Sequence, residues 1–333
     1  MNPEDAWNNI DPLGEALHFL RMSGTFYCRS ELSAPWGLNM PPMKDCLMFH
    51  FVTSGSFWLE AGTRRCRLQP GSLALVPHGA GHVLLSEIGA VPARLFDLHR
   101  ENLSDRYEIL RHGGGGTAMT LICGAVRFDH PAAHRLLMLL PDLIVVSASN
   151  SPDEDGIRSV LRLMAAEAAA MRPGGETIVT RLADILVIQA IRSWIERDPD
   201  ARTGWLGALQ DRQIGRALTL VHRDPARAWT LASLAEEASM SRSAFAARFK
   251  ALVGVPAMHY VAQWRMNLAA SQLRERSEGL ASLAGRLGYQ SEAAFSRAFK
   301  RFMGVPPGAI QQAAARTGGN DVQSLAEQGG RRD

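Results

Sequence analysis

Cysteine is scarce in this sequence, with four thiols in 333 residues: Cys28, Cys46, Cys66 and Cys123. Their spacing excludes a zinc ribbon and a Cys-x-x-Cys redox pair, and in a reducing compartment they are expected as thiols. Long hydrophobic runs are absent too. The most apolar stretch, Ile178 to Ile195, is interrupted by Arg181, Asp184, Gln189 and Arg192, which excludes a bilayer-spanning helix. The opening residues, MNPEDAWNNIDPLGEALHFL, have neither a basic leader nor a continuous apolar core. No secretion signal is expected, and the protein is expected in the cytoplasm. The one glycine run, His112-Gly113-Gly114-Gly115-Gly116-Thr117, lacks the lysine and the helix start that a phosphate loop requires. It reads as a surface loop leading into the strand Met119 to Val126.

The small net charge of +3 conceals an uneven distribution. From Trp205 to Ile310 there are 14 Lys or Arg against 7 Asp or Glu, whereas the first 204 residues carry a net −4. A local basic excess is what phosphate neutralisation requires. With 46% hydrophobic residues the chain can bury a sizeable core, and its length suggests two domains.

The most informative stretch runs from Leu280 to Pro307, LASLAGRLGYQSEAAFSRAFKRFMGVPP. Leu280, Leu283, Ala284 and Leu287 recur at helical spacing, Gly288 stops that helix, and Ser291 can cap a second whose Phe295 and Phe299 point inward. The opposite face of the second helix carries Glu292, Ala293, Ser296, Arg297 and Lys300. The stretch Trp229 to Pro256, WTLASLAEEASMSRSAFAARFKALVGVP, repeats the pattern. In its second helix Ser241, Phe245, Phe249 and Lys250 match Ser291, Phe295, Phe299 and Lys300 at an offset of 50, while the first helix is offset by one residue less. A difference confined to the turn is what homologous units tolerate, because turns absorb insertions and packed faces do not. The outward face of this copy carries Arg242, Ser243, Ala246, Ala247 and Lys250. Between the copies a helix from Met258 to Arg274 places Tyr260, Trp264, Leu268 and Ala269 on one side.

This double helix-turn-helix with its linking helix resembles the DNA-binding domain of the AraC/XylS family of bacterial transcription regulators. The G-Y-x-S-x-x-x-F-S-R-x-F-K and G-V-x-P signatures carry the resemblance, which covers roughly Leu209 to Ile310. It implies sequence-specific reading of double-stranded DNA by the two outward faces, with Arg297 the best candidate for a guanine contact.

From Gly24 to about His130 short apolar runs alternate with turn residues, the pattern of a small antiparallel barrel or sandwich. Gly71, Pro77, Gly79 and His82 match the second half of the cupin signature, and His50 with Gly55 resembles a reduced first half. The segment resembles the cupin-type sensor placed ahead of many AraC-type readers. Metal-dependent cupin enzymes bring two histidines one residue apart and a glutamate shortly after. Here Phe51, Val52, Thr53 and Ser54 follow His50, which counts against the alternative of a cupin enzyme fused to a DNA-binding domain.

The expected fold is therefore multidomain, α and β. A cupin-like antiparallel β-barrel spans 1–140, a helical linker and dimerisation segment 141–204, an all-α double helix-turn-helix 205–310, and a disordered tail 311–333. Asp198 to Gly204 is the expected linker, and one supporting helix is expected from Ala208 to His222. In the middle segment, Ile157 to Met171 and Glu176 to Arg197 read as two helices, with Leu182 and Leu186 as candidate subunit contacts. The expected function is a DNA-binding transcription regulator, not an enzyme, that responds to a small ligand or oxidant. Its expected partners are DNA, that signal, RNA polymerase and a second copy of the chain.

For the signal, the candidate residues are Cys28, His50, His82 and Cys123. Cys28 is placed ahead of the barrel, His50 shares a strand face with Met48 and Val52, and Cys123 interrupts the run Leu121 to Val126. The cupin resemblance aims both histidines into the barrel, and Cys28 and Cys123 recur among the regulators that the chain resembles. Two chemistries fit these residue types. Two thiolates and two imidazoles could hold zinc or another borderline metal. Alternatively, Cys28 and Cys123 could form a reversible disulfide, starting from a thiolate made acidic by Arg29.

Overall fold

The computed structural model describes residues 22–43, 46–104, 107–128, 136–146, 155–170, 172–275 and 278–317, with Leu13, Gly14, Leu17 and Ala133. Most of the opening residues, Leu20 included, and the tail beyond Thr317 lie outside the described residues. The chain divides into two compact units, one from Leu17 to Asp198 and one that contains everything from Pro199 onward.

The first unit is built on twelve strands among the described residues: β1 (Met22–Ser33), β2 (Gly37–Met40), β3 (Cys46–Ser54), β4 (Phe57–Ala61), β5 (Arg64–Leu68), β6 (Leu73–Val76), β7 (His82–Leu85), β8 (Ala93–Arg94), β9 (Arg100–Asn102), β10 (Tyr107–Gly113), β11 (Ala118–Phe128) and β12 (Ile144–Val146). They form a seven-stranded sheet in the order β12-β6-β3-β11-β1-β10-β9 and a five-stranded sheet in the order β5-β4-β7-β2-β8. The expected antiparallel barrel is thus two open sheets sharing one core. The pairings β1–β10 and β2–β8 are parallel. The β12 strand joins the larger sheet through β6, so residues beyond 140 complete the β fold of this unit.

The near-continuous apolar run of β3 follows from burial on both faces. Met48 and Val52 point into the core between the sheets, while Phe49 packs beside Tyr27 on the other side, ring centroids 6.1 Å apart. Gly124 in β11 must lack a side chain, because a Cβ there would lie 2.3 Å from the Phe49 ring. Two helices follow, α1 (Asp155–Ala170) and α2 (Gly175–Arg197), and α2 packs on α1, β1 and β12. Leu182 and Leu186 are buried in that packing, so they belong to the core and not to a subunit surface. Among the described residues of α1 and α2, the large apolar side chains left exposed are Leu163 (52% exposed), Ile178 (43%) and Ile185 (44%).

The second unit is helical. Pro199–Arg202 forms a 3-10 turn, so the segment expected as a linker is structured, and Ala201 accepts a bond from the Gln210 side chain at 3.0 Å. In place of the single supporting helix there are two, α3 (Gly204–Gln210) and α4 (Arg212–Arg223). Asp211 makes the break: its carboxylate accepts from the backbone N–H of Gln213 (3.1 Å) and Ile214 (2.9 Å) and so starts a new helix. Then come α5 (Leu231–Glu237), α6 (Arg242–Val253) and the linking helix α7 (Ala257–Glu275), followed by α8 (Leu280–Arg286), α9 (Glu292–Met303) and α10 (Pro307–Thr317). The α10 helix carries seven residues of the expected tail, and Gln311 donates to the Glu278 carbonyl at 3.0 Å.

Candidate DNA interface and buried sensing cluster

The two recognition helices are set by the same local chemistry. Ser241 Oγ accepts from Ala244 N–H at 3.3 Å and Ser291 Oγ from Ala294 N–H at 3.2 Å. Gly254 and Gly304 close both helices in the left-handed conformation. Phe245 with Phe249, and Phe295 with Phe299, are buried and lock each helix onto its unit. With that face inside, the opposite one is presented outward. In α6, Arg242, Ser243, Ala247 and Lys250 are exposed and Ala246 is half-buried; in α9, Glu292, Ala293, Arg297 and Lys300 are exposed and Ser296 is half-buried.

The other cations of this unit are largely engaged. Arg248 donates through Nε (3.0 Å) and Nη2 (2.5 Å) to Asp211, tying α6 to the start of α4. Arg227 pairs with Glu237 at 2.9 Å and lies over Trp229, while Arg286 pairs with Glu278. Arg242, Lys250, Arg297 and Lys300 have no intramolecular partner among the described residues, so their charge is available to a polyanion. Sequence reasoning missed the roles of Arg248 and Arg265. For Arg248 the readable signal was Asp-Arg-Gln-Ile, a helix cap whose second carboxylate oxygen is left for a cation.

In the first unit the four residues singled out for sensing come together. Cys28 lies in β1, within the sheet and not ahead of it. Its cross-strand partner is Cys123 in β11, and the partner of Cys123 on the other side is His50 in β3. His50 Nδ1 is 3.1 Å from Cys123 Sγ, and His50 Nε2 is 2.6 Å from Nε2 of His82, which reaches in from β7 of the opposite sheet. Cys28 Sγ lies 3.6 Å from Ser30 Oγ. His82 Nδ1 is buried without a partner.

This environment keeps all four groups neutral. Burial pushes the Cys28 thiol up to about 11, and burial, then the neighbouring Cys28, raises Cys123 well above its ordinary range. Burial and His82 hold His50 well below the usual imidazole range, and burial lowers His82 to about 4. The expected acidification of a thiol by Arg29 does not occur. Arg29 points to the other face of β1, where it donates to the Ala168 carbonyl at 3.1 Å and pairs with Glu31 at 2.9 Å.

The residues do not fit zinc as arranged. Among the described residues no three His, Cys, Asp or Glu side chains converge on a common point for a metal. The two Nε2 atoms 2.6 Å apart share a hydrogen, whereas a zinc ion needs about 2.0–2.1 Å on each nitrogen and an angle between them. A disulfide fits better. Residues directly opposed on antiparallel strands have Cα atoms about 4.5–5.5 Å apart, inside the limit of about 7 Å for bridging.

A helix-turn-helix repeated within one chain, with free cations on both outward faces, defines a protein that binds double-stranded DNA. Comparison with known proteins agrees: residues 11–196 match the cupin family and residues 234–313 a helix-turn-helix domain. A protein of Streptomyces antibioticus named as an AraC-like transcription regulator is 33% identical over 304 residues, covering 90% of this chain and 97% of its own. The HTH-type transcriptional regulator AlkR of Acinetobacter baylyi is 30% identical over 303 residues, 88% of this chain and 96% of its own. A third, also named AraC-like, from Streptomyces lividans, is 43% identical over 200 residues, which span 60% of this chain and 65% of its own length. The chain belongs to the AraC-like transcription regulators that carry an N-terminal cupin domain. No described helix is long and apolar enough to cross a membrane.

Proposed function

We propose that the cupin unit senses an oxidant through Cys28 and Cys123 and performs no catalysis. The observation that carries this reading is the buried row Cys28–Cys123–His50–His82, assembled from two sheets at 3.1 and 2.6 Å. Oxidation by hydrogen peroxide joins the two sulfurs, removes one proton and one electron from each thiol, and reduces the peroxide to two waters. Two neutral thiols react slowly, and His50 Nδ1 beside Cys123 is the acceptor available for a thiol proton. An unperturbed sensor therefore stays reduced until oxidant is in excess. We further infer that two chains pair through Leu163, Ile178 and Ile185, which places four recognition helices on paired half-sites.

The test is a transcription reporter driven by an operator selected with the protein, read with and without peroxide. Cys28→Ala or Cys123→Ala should abolish the response and leave DNA binding intact, and Cys46→Ala or Cys66→Ala should not. Mass spectrometry of the oxidised protein should find the Cys28–Cys123 peptide pair. A double variant lacking both thiols that still responds would transfer sensing to a non-redox ligand in the sandwich.

A further inference from the structure

A reader with two recognition helices needs more than two good surfaces; it needs them at a fixed separation. The junction between the two helix-turn-helix units shows how this is achieved. Arg265, on the linking helix α7, donates through Nε to the Pro225 carbonyl at 2.6 Å and through Nη2 to the Arg227 carbonyl at 2.7 Å. Both acceptors lie in the α4–α5 loop of the first unit. Its guanidinium carbon stands 5.9 Å from the ring of Tyr289, in the turn of the second unit.

That turn also touches the first unit directly. Gly288 has φ +78, and a Cβ there would lie 2.4 Å from the Ala226 carbonyl oxygen and 3.3 Å from Arg265 Nη2. The internal repeat supplies a control for what requires glycine here. The first unit's residue at the equivalent offset of 49 is Ser239, which holds φ 54 with a side chain. Left-handed backbone alone is therefore tolerated in this turn, and the approach to Ala226 is what excludes a Cβ at Gly288. The repeat also shows that Arg265 is not part of the generic unit, because an offset of 50 puts Ala315 at the matching place in α10.

The loop that Arg265 grips is itself braced. Arg227 N–H donates to Asp224 Oδ1 at 3.1 Å, and Trp229 Nε1–H donates to the Asp224 carbonyl at 2.8 Å. A grip on a rigid loop transmits position, whereas a grip on a loose one would not.

We propose that Arg265, with Gly288, is a positioning staple that fixes the separation and angle of the two recognition helices, so that the chain discriminates operators by the spacing between the two groups of contacted bases. Arg265 acts through the bodies it joins and not by touching DNA. The proposal rests on the proposed DNA reading, in the form that the two recognition helices of one chain enter two successive major grooves.

The experiment uses the full-length protein and a duplex selected by it from a random-sequence pool. A series of that duplex carries one or two base pairs inserted or deleted between the two contacted groups. One inserted base pair displaces one group by about 3.4 Å and turns it by about 34°. The unmodified protein should lose about tenfold in affinity or more per insertion. Arg265→Met, which keeps the apolar stem, should bind the original spacing several-fold more weakly, with the insertion penalty reduced to about threefold or less. Arg248→Met, which breaks a contact within the first unit alone, should keep the full penalty. Gly288→Ala is the second variant: it removes no hydrogen bond and pushes the units apart, so it should shift the preferred spacing. A folded Arg265→Met or Gly288→Ala protein with the original spacing preference and penalty overturns the proposal. A footprint of one helical turn by the unmodified protein would instead defeat the two-groove reading beneath it.

Discussion

Replacing His82 by glutamine should flatten the acid limb of the cupin unit's stability. Burial lowers His82 to about 4 in the folded protein, against about 6.5 for an unperturbed imidazole. Between those values the unfolded chain binds a proton that the folded one refuses. The stability associated with this site is thus complete above about pH 6.5 and is lost as pH falls toward 4. One proton contributes about 1.4 kcal/mol per pH unit, so the window is worth about 3 kcal/mol. His50 is shifted in the same direction and steepens the same limb. Glutamine cannot take the proton but can still bond His50 Nε2 from the position that His82 holds at 2.6 Å. Hydrogen exchange of peptides spanning β3 and β7, corrected for intrinsic rates at pH 7, 6 and 5, reads the local opening free energy. The unmodified protein should lose about 1.4 kcal/mol per unit more than His82→Gln below pH 6.5. Equal slopes in the two proteins would refute the claim that His82 is buried neutral.

Four other outcomes follow from the geometry. Arg297→Ala should cost about 1–3 kcal/mol on the selected duplex and relax preference at one base pair; a uniform loss on all sequences in a competition assay would make it a phosphate contact instead. Asp211→Ala removes the cap of α4 and the partner of Arg248, and thermal melting should register about 1–2 kcal/mol of lost stability in the reader. Phe295→Ala empties a fully buried site and should cost about 3–5 kcal/mol by urea titration. Ile178→Glu with Ile185→Glu should yield monomers in sedimentation while the protein stays folded, and retained dimers would place the interface elsewhere.

The reader was legible in the sequence because its determinants are local. Serine caps, Phe-x-x-x-Phe spacing and glycine stops act within one helix, and a repeat at offset 50 doubled the signal. The Asp211 break was a local signal overlooked, since a capping aspartate inside an apolar period divides one expected helix into two. The candidate sensing residues were identifiable by type, and the face shared by Met48, His50 and Val52 was readable from strand alternation. What could not be read was pairing at a distance. Sequence alone puts Cys28 ahead of the barrel because nothing near it announces that β1 will lie between β10 and β11, and that placement is what sets it against Cys123. The same non-local packing reversed two further expectations. Arg29 shares a strand with Cys28 yet serves the opposite face, and Leu182 and Leu186 are buried within their own unit and not by a partner.

One chain should read DNA with two recognition helices held in one rigid reader. Hydroxyl-radical footprinting of the full-length protein on its selected duplex, at a concentration where the chain is monomeric, tests it most directly. Two protected segments are expected on one face of the helix, about one turn or 34 Å apart, with Arg297→Ala weakening base preference in one segment and Ser243 and Lys250 substitutions weakening the other. Protection confined to a single turn, or two segments that both respond to Arg297→Ala alone, would contradict it.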